Sequence, residues 1–182
     1  LLLFVASLGT QALVGRPLVR MFVQTFRFPA GSMMPALQIG DYILVDKFRY
    51  HLAPIRRGDI ILFKFPPDER ADFIKRVIGL PGETLELRGT QVLINGSPLD
   101  ESYAIYGDWP VSRRGERESL GPIVIPPDRL FMLGDNRDHS MDSRVWGVLD
   151  VHNVRGKVVG IYFSWDADAG TVRWPRIGTA IH

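Results

Sequence analysis

The sequence predicts a mainly β protein, an antiparallel and barrel-like fold with one helical run at its N-terminus and a small inserted lobe. Three observations predict it. Beyond Arg20 the apolar residues fall in short runs rich in Val, Ile, Phe and Tyr, the signature of strands. Turn formers separate those runs at short intervals, as in Gly40-Asp41, Gly58-Asp59, Pro66-Pro67, Pro81-Gly82, Asn95-Gly96 and Pro126-Pro127. Only the N-terminal run reads as firmly helical. Many short strands joined by tight turns favour an antiparallel architecture over a parallel sheet with crossover helices.

The elements follow in order. Residues 1–14 (LLLFVASLGTQALV) carry no charge. A bilayer span takes about 20 mostly apolar residues, so this run alone is short. It fits the C-terminal part of a membrane helix that begins upstream. It also fits a buried helix or the apolar core of a cleavable targeting peptide. In the first case Arg16 and Pro17 mark the exit from the bilayer. Strands are predicted near residues 26–29, 42–46, 59–65, 73–78, 84–88, 91–94, 122–125, 130–133 and 157–163. Residues 140–147 read as a turn or short helix. Residues 97–121 hold Tyr103, Tyr106, Trp109 and the charge-rich run SRRGERE, and they read as a loop or lobe inserted between strands. Those charges suit a solvated face better than a binding site.

Composition narrows the class. Of the 182 residues 46% are hydrophobic and 23% charged, a folding composition rather than a disordered one. The net charge is only +2 with Lys and Arg scattered, so nothing points to a nucleic-acid partner. Cysteine is absent, which removes disulfides, thiol catalysis and Cys-based zinc sites together. None of the four histidines has metal-like spacing, and no cofactor or metal is expected.

Three segments can carry chemistry. In FPAGSMMP, Ser32 lies between Gly31 and two Met residues, bounded by Pro29 and Pro35. The prolines stiffen the backbone and Gly31 permits a close approach, which suits a rigidly held hydroxyl. A turn serine bonding its own backbone fits the same residues. In DFIKRVIGLPG, Lys75 sits inside an apolar strand, and alternation puts Lys75 and Arg76 on opposite faces. Burial disfavours the ammonium form and leaves a neutral amine able to act as a base. A lysine guarding a strand edge fits equally well. In GDNRDHSMDSRVWG the polar groups are dense. Arg137 and His139 occupy positions where a calcium loop needs acidic ligands, so carboxylate–guanidinium pairs are expected instead: Asp135, Asp138 and Asp142 against Arg137 and Arg144. Ser140 and Ser143 remain as donors to a neutral amine. Spacing also leaves open a triad of Ser32 and His139 with an acid.

Four blocks in one order resemble bacterial type I signal peptidases: FRFPAGSMMPALQIGDYILVDKF (26–48), RRGDIILFKFP (56–66), DFIKRVIGLPGE (72–83) and GDNRDHSMDSRVWG (134–147). VRWPRIG (172–178) adds a weaker match. The resemblance implies a signal-peptidase and repressor-peptidase fold, with residues 1–20 as the C-terminal part of a membrane anchor. It implies a catalytic domain over 21–182, with a lobe inserted at about 97–121. Ser32 then aligns with the nucleophile and Lys75 with its base. Ser140 aligns with the serine that orients the amine, and Asp135, Arg137, Asp142 and Arg144 with the supporting ion pairs. Phe26, Phe28, Met33, Leu37, Phe73 and Ile74 match positions lining two shallow pockets. A substrate strand is expected to dock beside Phe26, Phe28, Pro29 and Ala30 on one side and Asp72, Phe73 and Ile74 on the other.

The implied activity is removal of signal peptides from exported preproteins after small residues. The implied setting is the outer, periplasmic face of the cytoplasmic membrane, with the lipid bilayer as the other partner and the chain a monomer. Ala30 stands where many members carry Ser, whose hydroxyl helps hold the oxyanion. Two other readings stay open: another Ser/Lys peptidase with different substrates, and a catalytically silent β-domain that binds peptides at the membrane.

Overall fold

The protein is described here by a computed structural model covering residues 23–27, 30–107 and 119–181. The expected anchor segment, 1–20, lies outside the described residues. Among those residues no helix is long and apolar enough to cross a membrane.

Among the described residues the chain forms strands β1 (Val23–Arg27), β2 (Asp41–Asp46), β3 (Ile60–Phe65), β4 (Asp68–Gly79), β5 (Thr84–Arg88), β6 (Gln91–Ile94), β7 (Ser97–Pro98), β8 (Ser119–Val124), β9 (Arg129–Leu133), β10 (Leu149–Asp150), β11 (Val154–Asp166) and β12 (Thr171–Val172). Two single-turn helices accompany them, α1 (Arg49–Leu52) and α2 (Ser143–Trp146). The larger sheet runs β1-β2-β11-β3-β4-β9-β10, with β12 beside β11, and the smaller runs β7-β6-β5-β8. Each pair of these strands is antiparallel. The predicted antiparallel β class holds, with the path of the larger sheet open between β1 and β10 among the described residues.

The alternation rule explains how β3 can be apolar throughout. Its Ile60 and Leu62 join one core with Met33, Leu37, Ile43, Val45 and Ile74. Its Ile61 and Phe63 join another with Val77, Leu130 and Met132. A strand buried on both faces needs an unbroken apolar run, and IILF supplies it. A third core, with Ile78, Leu85, Ile125 and Phe131, joins the two sheets.

β4 and β11 run well beyond the bounds that the sequence pattern predicts. β4 starts at Asp68 because the polar stretch before Phe73 continues the ladder with β3, pairing Lys64 with Asp72 and Phe65 with Asp68. β11 extends past residues 157–163 at both ends, with register shifts that bend it between β2 and β3. Gly156 permits the crossing: a Cβ there would fall 2.5 Å from the Asp46 carbonyl oxygen. The two-residue strands β7, β10 and β12 carry no apolar run of their own, and their partners alone define them.

Candidate active site

Ser32 lies in the turn between β1 and β2, and Lys75 near the middle of β4. Lys75 Nζ is 2.8 Å from Ser32 Oγ and donates to the Ile74 carbonyl at 3.1 Å. Both residues are buried, Ser32 to 8% exposure and Lys75 to 4%. The amine lies 5.4 Å from the centre of the Phe73 ring. Burial pushes the Lys75 ammonium down to about 8; Asp142 and Asp135 oppose that shift and Arg144 adds to it. A lysine so placed is neutral in a useful fraction of molecules near neutral pH.

Successive residues of β4 send two cations in different directions. Arg76, beside Lys75, forms a bidentate pair with Asp135 at 2.8 and 2.7 Å, with the guanidinium 4.1 Å from the Tyr103 ring centre. The segment after β9 is fixed by ion pairs of its own. Arg144 grips Asp142 through two 2.8 Å bonds and donates to the Arg137 carbonyl. Asp142 also caps α2 and accepts from Gly134 N–H at 3.1 Å. Asn136 then carries this order to Ser32. Its N–H donates to the Ser32 carbonyl and its side-chain amide to the Gly31 carbonyl, each at 3.1 Å.

Gly134 is the tightest point of this contact. A Cβ there would fall 2.3 Å from Ser140 Oγ and 2.5 Å from the Ser32 carbonyl oxygen. The second neighbour is backbone, so it cannot move aside without moving Ser32. Gly134→Ala is therefore expected to lower kcat about ten- to a hundred-fold, the usual result of misplacing a reacting group. It should also cost about 1–3 kcal/mol of stability, as overpacking does. Steady-state kinetics with a urea titration checks both, and a wild-type kcat would refute the close contact.

A cleft of about 370 Å³ opens onto the pair, lined by Phe26, Ala30, Ser32, Leu62, Asp72, Phe73, Ile74, Lys75, His139 and Met141. Its walls are mainly aromatic and aliphatic. Asp72 at its edge pairs with Lys64 at 3.0 Å.

The model of the family described as "Signal peptidase, peptidase S26" matches residues 2–165. The chain belongs to the S26 signal peptidase family. Signal peptidase I from Leptolyngbya laminosa is 42% identical over 149 residues, covering 78% of this chain and 70% of that protein. Signal peptidase I from Bacillus caldolyticus is 36% identical over 152 residues, covering 77% of this chain and 80% of that one. A solved signal peptidase I structure from Enterococcus faecalis is 32% identical, with a TM-score of 0.48, covering 58% of this chain and 97% of that one.

In this S26 family member the residues expected from sequence fall into three groups. Ser32, Lys75, Phe26, Ala30, Asp72, Phe73 and Ile74 meet at the cleft. Asp135, Arg137, Asp142 and Arg144 surround it as ion-paired supports. Asp142 pairs with Arg144 as expected, whereas Asp135 pairs with Arg76 and Arg137 with Glu101. Asp138 accepts from Gly107 N–H at 2.7 Å. Met33 and Leu37 do not line the cleft. Both are fully buried in the core with Ile43 and Ile74. Phe28 and Pro29 lie outside the described residues. The Ser140 hydroxyl is buried and has no hydrogen-bond partner among the described residues; the expected bond to Lys75 is not formed.

Leu62, His139 and Met141 line the cleft without having been expected there. Leu62 was readable from pairing, since it stands opposite Ile74. His139, at the end of a single 3-10 turn, and Met141 flank Ser140, where no long periodicity sets direction.

Proposed function

We propose that the chain is a serine endopeptidase that removes N-terminal signal peptides from exported preproteins, with Ser32 as nucleophile and Lys75 as general base. The observation that carries this reading is the 2.8 Å approach of a buried lysine amine to a buried serine hydroxyl at the floor of an apolar cleft. Neutral Lys75 takes the Ser32 proton as Oγ attacks the scissile carbonyl carbon. The resulting oxyanion is held by the Ser32 N–H. Collapse breaks the C–N bond, and Lys75 returns the proton to the departing amine. Lys75 then deprotonates water, which releases the signal peptide from the acyl-enzyme.

Ala30 supplies no hydroxyl to the oxyanion, so the second donor is backbone or water. Ser140 orients the amine once substrate closes the cleft; its buried, unbonded hydroxyl supports that role. The substrate backbone adds as a strand between the β1 side and residues 72–74 of β4. Residues 1–20 belong to a membrane anchor. Residues 21–182, with a lobe inserted at about 97–121, form the catalytic domain. That domain acts as a monomer at the bilayer, on the outer face of the cytoplasmic membrane.

Phe26, Leu62, Phe73 and Ile74 leave shallow space, which predicts small residues at the last and third-last positions of the signal peptide. An Ala-x-Ala peptide should be cut after its second Ala. Trp at that last position should reduce kcat/KM about ten- to a hundred-fold, since overpacking a rigid pocket typically costs about 1–3 kcal/mol. Mass spectrometry of the products reads the cleaved bond, and equal cleavage of both peptides would refute this substrate class.

A further inference from the structure

Glu101 lies outside the cleft, in the segment between β7 and β8 of the smaller sheet, yet its carboxylate is buried against the loop that holds the nucleophile. The side chains of Arg137 and Glu101 are 3% and 8% exposed. Arg137 Nη1 donates to Glu101 Oε2 at 3.1 Å, and Nη2 donates to Oε1. The rest of the guanidinium is also engaged: Nε donates to the Gly134 carbonyl and Nη1 to the Tyr106 hydroxyl, both at 3.1 Å. Tyr103 donates to Glu101 Oε1 at 3.1 Å while its ring packs on Arg76.

The backbone joins the same two segments. Ile105 N–H donates to the Asp135 carbonyl at 2.8 Å, and Arg137 N–H to the Ile105 carbonyl at 2.9 Å. Gly107 N–H reaches Asp138 Oδ2 at 2.7 Å. The loop so held contains both groups that fix Ser32: Gly134, pressed against its carbonyl, and Asn136, which donates to it.

We infer that Glu101 is a positioning residue for Ser32, acting through Arg137 on residues 134–136. The inference rests on Ser32 being the nucleophile. Glu101 touches neither the cleft lining nor the reacting atoms. Its loss should therefore lower kcat with little change in KM, the signature of an interaction realised in the transition state.

Glu101→Gln alone leaves Arg137 buried without its counter-charge and can unfold the loop. The decisive variant is the double substitution Glu101→Leu with Arg137→Met, which removes the ion pair without leaving a lone charge. Buried pairs replaced this way often keep or gain stability. The double variant should melt near the wild-type temperature, with kcat down about ten- to a hundred-fold and KM within about twofold. Glu101→Asp, which keeps the charge, should retain more kcat than Glu101→Gln. A double variant with wild-type kcat, or a kcat loss that tracks melting temperature across the set, would overturn the inference. Ser32→Ala is assayed beside them. If it stays active, the nucleophile assignment fails; if it is dead while the double variant has wild-type kcat, only the role of Glu101 fails.

Discussion

Ser32→Ala should cut turnover of an Ala-x-Ala peptide by about 10⁶-fold, the scale on which removing a serine nucleophile acts in other serine peptidases. The size follows from the geometry. Within the cleft, Ser32 Oγ is the hydroxyl in hydrogen-bond reach of the Lys75 amine, and the Ser32 carbonyl is held by Asn136. In the proposed mechanism, losing Oγ removes the atom that forms the acyl bond and leaves only binding and orientation. The substitution is small and at the cleft floor, so the fold should persist. The check is kcat by product mass spectrometry on protein whose melting temperature matches wild type. Activity within about tenfold of wild type would mean that another group attacks.

Lys75→Met should lose about 10²- to 10⁴-fold in kcat, the usual worth of a general base. It should also make the protein more stable at pH 6. The sign follows from the lowered pKa. The ammonium titrates at about 8 in the folded protein against an ordinary value of 10.5. Below 8 both states hold the proton, and the folded state carries the full cost of a buried cation. Between 8 and 10.5 the unfolded chain binds more protons, so stability rises with pH; above 10.5 the cost has vanished. The cost below pH 8 is on the order of 3 kcal/mol. Methionine fills nearly the same volume without charge, less the lost contact to Ser32. Thermal melts of both proteins at pH 6 and pH 10 check it. The melting temperature of Lys75→Met should exceed wild type at pH 6, and the gap should close by pH 10. A variant less stable than wild type at pH 6 would mean that the ammonium is well paired, and the base role would lose its physical ground.

Much of this site was legible in sequence because its elements are local. The apolar run around Lys75 announced a strand, and its alternation separated Lys75 from Arg76. Their side chains reach Ser32 and Asp135. The strands at 84–88 and 91–94 carried both pattern and turn, and both appear within the predicted bounds. What stayed hidden depends on contacts far apart in the chain. Asp135 could have paired with any nearby guanidinium, and only the fold brings Arg76 to it across β4 and β9. Glu101 looked like part of a solvated insertion until the Ile105–Asn136 bridge placed it against Arg137. Met33 and Leu37 were misjudged for another reason. They occupy turns, where no period of two or 3.6 tells core from cleft, and both side chains are buried in the core.

His139 lines the cleft with Ser32, so the histidine-based alternative has a residue in place to be tested. The pH dependence of kcat/KM separates the two bases. If Lys75 is the base, kcat/KM rises about tenfold per pH unit up to a limb near 8, and His139→Ala leaves that limb where it was. An acid limb that disappears in His139→Ala would contradict the Ser32–Lys75 dyad.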